Sequence, residues 1–243
     1  MSTRAEAVLF DYGHTLARYE LGDWDSRLRQ GLGRIHAELA RMGALPPLDE
    51  FTEVGVEEIK GRAKDTAVYP LEDRLRDLMR RLGLQSSIPM LDLAGILMSP
   101  VLEIGVPDPD AHVVLTTLKD RGLRLGLVSN CPWCSPSSLW REEMHSFGFD
   151  AYLDCIQFCT EVGVRKPDPR AFRMCLDQLG TAPERAVYVG DYQPWDVVGA
   201  KEAGLVAVWR NVRNEELDPD LAAPDYTIHR LLELLDLPPL RPS

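Results

Sequence analysis

At 243 residues with 45% hydrophobic content, the chain is long enough to bury a substantial core, as one large soluble domain or as a core carrying an inserted subdomain. Its 38 acidic residues outnumber 27 basic ones for a net charge of −11. That balance argues against diffuse attraction to nucleic acid or an anionic membrane, and points to small molecules and metal cations as partners, with room for a local basic pocket.

In chain order, residues 6–10 are expected to form a buried strand that delivers Asp11 to its carboxyl end. The stretch before Asp11 is too short for a secretion signal, and no apolar run reaches the ~18 residues of a membrane span, so a cytoplasmic location is expected. Strand signals then disappear. Apolar residues recur at helical spacing in Leu28, Leu32, Ile35 and Leu39, and again in Leu71, Leu75, Leu78, Met79 and Leu82. The breaks at Gly43 to Pro47, around Tyr69-Pro70, and at Gln85 to Pro89 divide an all-helical insertion. From Val106 onward helix and strand alternate: helix 111–120, strand 123–128, a helix near 137–147, a strand around Ile156, helix 168–179, strand 186–189, a further helix and strand 206–209. This alternation predicts an α/β fold, a Rossmann-like parallel sheet with helices on both faces. The proline-rich tail after Leu237 reads as disordered.

Four short pieces fall at strand ends, where chemistry collects in an open α/β sheet. They are Asp11 to Thr15, Ser129-Asn130, Lys166 within Gly163-Val164-Arg165-Lys166-Pro167-Asp168-Pro169, and Gly190-Asp191-Tyr192-Gln193-Pro194-Trp195-Asp196. Each alone is a common loop sequence. Phosphoryl transfer needs a positioned nucleophile, a divalent cation and preorganised donors, and the four together provide candidates for each. Asp11 is the candidate nucleophile, Asp11 with Asp191 the candidate Mg2+ ligands with Asp196 ligating or orienting, and Ser129 and Lys166 the candidate phosphate donors.

In order and spacing the four pieces resemble the signature motifs of the haloacid dehalogenase-like hydrolase superfamily: D-x-D-x-T, Ser or Thr, Lys, and G-D-x-x-x-x-D. The resemblance implies a core of residues 1–16 and 108–243, with residues 17–107 as an inserted helical cap. It further implies a Mg2+-dependent phosphatase of a small phosphorylated metabolite, with Asp11, Ser129 and Lys166 catalytic. Thr15, Ser129, Asn130 and Lys166 would bind substrate. Asp11, the Gly13 carbonyl, Asp191 and Asp196 would surround the metal. The cap would select the substrate, with Arg27, Arg62 or Lys64 as candidate anion contacts.

The departure from the family pattern is Gly13, which stands where the phosphatases carry a second aspartate that acts as acid and base. Glycine keeps the carbonyl and loses the proton carrier, a loss of about 10² to 10⁴ in rate, or roughly 3 to 5 kcal/mol. A good leaving group, His14 or a cap residue could compensate; strand alternation is expected to turn His14 away from Asp11. Two other branches of the superfamily lack that aspartate. Dehalogenases carry tyrosine there and need no metal, which the acidic run Asp191 to Asp196 argues against. Phosphonatases use a cap lysine, for which Lys60 and Lys64 are candidates beside a plain reading as surface charges. A phosphate-ligand binding or regulatory protein that has lost turnover is the rival of a different class.

Five cysteines, Cys131, Cys134, Cys155, Cys159 and Cys175, form an odd set compatible with reduced thiols. Cys131-Pro132-Trp133-Cys134 followed by Cys155 and Cys159 admits a zinc or redox reading. The favoured reading makes the thiols small apolar groups and gives Trp133 a place at a pocket mouth beside Ser129.

Overall fold

The computed structural model describes residues 4–20, 22–61 and 66–242. They divide into two compact units. One comprises the chain up to Arg18, Val106–Asn130 and Met144 onward; the other comprises Tyr19–Gly105 and Cys131–Glu143. The second unit is therefore not the single insertion 17–107, because the short stretch after Ser129-Asn130 packs with the helical segment.

In the first unit, β1 (Ala7–Phe10) is a four-residue strand buried on both faces. Two short strands missed by the sequence pattern, β2 (Ala17–Tyr19) and β3 (Gly105–Pro107), pair in a small separate sheet. Three residues are too few to show a period of two.

Between them lie four helices, α1 (Trp24–Leu39), α2 (Leu48–Lys60), α3 (Leu71–Arg81) and α4 (Met90–Leu102). Asp23 caps α1 by accepting from the amides of Asp25 and Ser26. Pro47, Pro70 and Pro89 each directly precede a helix, so the breaks read in the sequence are helix starts. The buried stripe Leu28, Leu32, Ile35 and Leu39 faces its neighbours, and Gly31 lets α1 approach the backbone of Leu97 in α4.

The chain continues through α5 (Ala111–Asp120), β4 (Arg124–Ser129), α6 (Ser137–Ser146), β5 (Cys155–Phe158), α7 (Cys159–Val162), α8 (Pro169–Leu179), β6 (Ala186–Gly190), α9 (Val198–Ala203), β7 (Val206–Arg210) and β8 (Tyr226–Ile228). The six-stranded sheet is parallel throughout, in the order β5-β4-β1-β6-β7-β8. From β1 the chain builds outward on one side through β4 and β5, then returns to build β6, β7 and β8 on the other. The carboxyl end of β1 is thus a topological switch point, where open α/β sheets place their ligands.

Ala7, Leu9, Tyr188, Ala207 and Trp209 meet Phe172, Leu176, Ala200 and Ala203 of α8 and α9 in a continuous core. Strand alternation sends Val8 and Phe10, also buried, to the opposite face of the sheet.

The tail after Leu237 is ordered, contrary to its composition. The Pro239 carbonyl accepts from the Ala5 amide at 3.0 Å, Arg121 donates to the carbonyls of Leu235 and Leu240, and Leu240 is buried. Prolines cost little conformational entropy to fix, and here backbone partners hold them. No helix among the described residues is long and apolar enough to cross a membrane.

Candidate active site

Pairing register puts three strand ends side by side. Phe10 of β1 is level with Leu127 of β4 and Val189 of β6, so Asp11, Ser129 and Asp191 leave the same edge of the sheet. The Asp11 amide continues the ladder by donating to the Val189 carbonyl at 2.8 Å.

Lys166 joins these ends. Only 2% exposed, its ammonium donates to Asp11 Oδ1 at 2.6 Å, to Asp196 Oδ1 at 2.7 Å and to the Tyr188 hydroxyl at 2.7 Å. Burial works against its charge, but Asp11 and Asp196 outweigh it and hold the ammonium above the ordinary lysine range. Tyr188 donates to the Val128 carbonyl at 3.0 Å and packs edge-on against Phe172, which fixes the third acceptor. The backbone of Lys166 is clasped by Asn130, whose Nδ2 donates to its carbonyl while Oδ1 accepts from its amide. Asn130, expected among the phosphate contacts, makes one hydrogen bond from each end of its amide to the Lys166 backbone, because β4 ends directly beside that loop.

After Asp11 the chain folds over the Tyr12 carbonyl, which accepts from the amides of Thr15, Leu16 and Ala17. Arg210, at the end of β7, donates to the carbonyls of His14 and Thr15 and pairs with buried Asp108. The loop carrying Gly13 is therefore anchored from outside. Thr15 is buried, and its hydroxyl has no hydrogen-bond partner among the described residues. His14 lies beyond the strand at φ 54°, so strand alternation does not govern its direction. Burial, then Arg213 and Arg210, lower its pKa to about 4. That shift favours the neutral imidazole, so an imidazolium acid at this position is disfavoured at neutral pH.

Asp191 and Asp196 come from the loop after β6 and the wide helical turn Gln193–Val197. Asp196 Oδ2 accepts from the Tyr192 amide at 2.9 Å, and a Cβ built at Gly190 would overlap the Asp196 carboxylate. Glycine at this position thus permits the second carboxylate to fold back. Arg213 reaches Asp191 Oδ2 at 3.1 Å from the loop after β7.

Asp11, Asp191 and Asp196 can bring one carboxylate oxygen each within 4.8 Å of the others, and no other such group of metal-ligating side chains occurs among the described residues. Burial, then Asp196 and Asp11, push Asp191 up to about 8 against the opposing pull of Arg213 and Lys166. Burial likewise raises Asp196, although Lys166 draws it down. Three carboxylates gathered around one ammonium form a buried hard-oxygen cluster. These residues fit a divalent cation such as Mg2+.

A family model for haloacid dehalogenase-like hydrolases matches residues 5–204. The chain belongs to the haloacid dehalogenase-like hydrolases. A phosphoserine phosphatase from Thermus thermophilus is 41% identical over 128 residues, 52% of this chain and 49% of that protein. A glyceraldehyde 3-phosphate phosphatase from Methanopyrus kandleri is 35% identical over 134 residues, 54% and 56% of the two chains. The chain spans about half the length of the curated relatives it matches. Among solved structures, a HAD phosphatase from Thermococcus onnurineus superposes with a TM-score of 0.67 at 27% identity, covering 95% of this chain and 96% of that one.

Within this haloacid dehalogenase-like core, Tyr188, Arg210 and Arg213 join the residues expected from the motifs. The hydrophilic end of an otherwise apolar strand, Trp209-Arg210-Asn211, was the available signal for Arg210; Tyr188 reads simply as a strand residue.

Other candidates fall elsewhere. All five cysteines are buried. Cys131 and Cys134 belong to the helical unit while Cys155 and Cys159 flank a core strand, and the described residues show no zinc set formed from them. Trp133 packs edge-on against Trp24. Lys60 is half exposed and paired with Asp25 at 2.7 Å, which fits the plain surface-charge reading. Arg27 lies near Gln30 and the Pro100 carbonyl. Arg62 and Lys64 lie outside the described residues.

Proposed function

We propose that the chain is a Mg2+-dependent phosphatase of a small phosphorylated metabolite, working through an aspartyl phosphate on Asp11. The observation that carries this reading is the buried contact of Asp11 with Lys166 beside Asp191 and Asp196 at the switch point of the sheet. Held by Asp11, Asp191 and the Gly13 carbonyl with Asp196 alongside, Mg2+ would offset phosphoryl negative charge.

Asp11 supplies the attacking oxygen. Its bond to phosphorus forms as the bond to the leaving oxygen breaks, and the electron pair departs with that oxygen. Lys166 keeps one Asp11 oxygen in place, leaving the other for attack; its positive charge would offset the charge of the phosphoryl group, and the Ser129 hydroxyl would donate to an equatorial oxygen. Water then attacks phosphorus as the Asp11 oxygen–phosphorus bond breaks; the electron pair returns to the Asp11 carboxylate and the protons of the water leave on the released dihydrogen phosphate. Gly13 supplies no proton in either step, so substrates whose leaving oxygen is a stable anion, such as aryl or acyl phosphates, are turned over best.

The test is phosphate release from a panel of phosphorylated metabolites and an aryl phosphate, with Mg2+ or EDTA. Metal-dependent turnover lost in Asp11→Asn is the expected result. No turnover of any substrate, with tight phosphate-ligand binding retained, would instead establish the binding-protein alternative. Phosphate release from a phosphonate that depends on Lys60 or Lys64 would favour the phosphonatase branch.

A further inference from the structure

We propose that Arg213 is a built-in counter-cation for Asp191, which a divalent metal ion displaces, and that it thereby sets the metal affinity of the site. The inference rests on the metal-site reading above. On that reading a divalent cation joins the Lys166 ammonium among the three carboxylates. Arg213, paired with Glu215 at 2.7 Å and 3.1 Å from Asp191, then sets a second positive charge beside a carboxylate that the metal itself would hold. Of the two cations, Lys166 is buried and cannot leave, whereas the Arg213 side chain is 41% exposed and can withdraw into water.

The loop after β7 is constructed for such a movement. Asn211 Nδ2 donates to the Glu215 carbonyl while its Oδ1 accepts from the Glu215 amide, which closes residues 211–215 into a ring. A hydrogen bond of 2.9 Å links the Asn211 carbonyl to His229 Nδ1 and ties the ring to the segment after β8. Within the ring, Arg213 Nε donates to Glu215 Oε1 at 2.7 Å. The guanidinium therefore has one contact that travels with its own loop and one, to Asp191, that it can surrender. Until metal arrives, Arg213 offsets part of the repulsion among the buried carboxylates; once metal is bound, that same charge opposes it.

Calorimetric titration of the full chain with MgCl2, comparing wild type, Arg213→Gln and Arg213→Lys, tests the proposal. Arg213→Gln is expected to bind Mg2+ on the order of tenfold more tightly, the worth of one charge-assisted hydrogen bond. Arg213→Lys, which keeps the charge, should stay near wild type. In EDTA the Gln variant should melt below wild type, and in saturating Mg2+ the two melting curves should converge. The Arg213 Nε–Hε resonance, identified by its loss in the Gln variant, should shift as Mg2+ is added. Equal affinity in all three proteins, with an unshifted resonance, overturns the proposal. Absence of Mg2+ binding in every one of them overturns the metal-site reading beneath it.

Discussion

The ammonium of Lys166 bridges Asp11 and Asp196, 2.6 and 2.7 Å from one oxygen of each, in a setting where all three side chains are nearly withdrawn from water. Opposite charges buried together depend on each other. Replacing Lys166 by Met leaves the carboxylates uncompensated, a cost of roughly 3 to 5 kcal/mol for breaking a buried pair. Thermal denaturation in EDTA should show a midpoint lower by about 6 to 20 °C. An unchanged midpoint would mean that the carboxylates are relieved some other way.

Restoring the missing carboxylate gives a second prediction. Gly13 is not among the glycines with positive φ, so its backbone conformation is not reserved for glycine. Gly13→Asp should raise kcat for alkyl phosphates by about 10² to 10⁴ and raise aryl phosphate turnover less, since those need no leaving-group protonation. Equal effects on the two substrate types would show that leaving-group protonation does not limit the reaction.

Mg2+ should stabilise the folded chain. At a concentration a hundredfold above its Kd, a ligand bound only by the native state contributes about 2.7 kcal/mol. For a chain of this size that is a rise of roughly 5 to 11 °C, reversed by EDTA. Asp191→Asn should abolish the rise, and scanning calorimetry of both proteins checks it.

Gly190→Ala places a methyl group against the Asp196 carboxylate. The overlap should destabilise the protein by about 1 to 3 kcal/mol and weaken Mg2+ binding, although the new side chain bears no charge. Denaturant titration together with calorimetry would separate the two effects; loss of stability with unchanged metal affinity would place Asp196 outside the metal's reach.

Much of this site is legible in the sequence, for a physical reason. Asp11, Ser129 and Asp191 each follow a short apolar strand, and a parallel sheet necessarily brings such strand ends to one edge. Lys166 is legible only through its place among the motifs, since nothing local tells a buried ammonium from a surface one. Tyr188, Arg210 and Arg213 stay hidden because their partners are distant in sequence: Tyr188 looks like any inward strand residue, and Arg210 reaches back to the His14 and Thr15 carbonyls. Asn130 shows a role that its motif position does not announce. It occupies a motif position beside Ser129, yet its hydrogen bonds go to the Lys166 backbone. The ordered tail misleads for a related reason, because composition reports propensity and says nothing of the N–H donors that Ala5 and Arg121 offer to its carbonyls.

The strand order also governs how the protein is made. β1 pairs with β4 from Arg124 and with β6 from Ala186, so the apolar run Ala7 to Phe10 is synthesised long before either neighbour exists. At about 5 to 20 residues per second, a ribosome takes several seconds to some tens of seconds to deliver both. Through that interval the four helices can form from local contacts, while the strand that carries Asp11 waits with its edges open. Chaperone capture of nascent chains should therefore concentrate on this N-terminal strand and end once β6 has emerged.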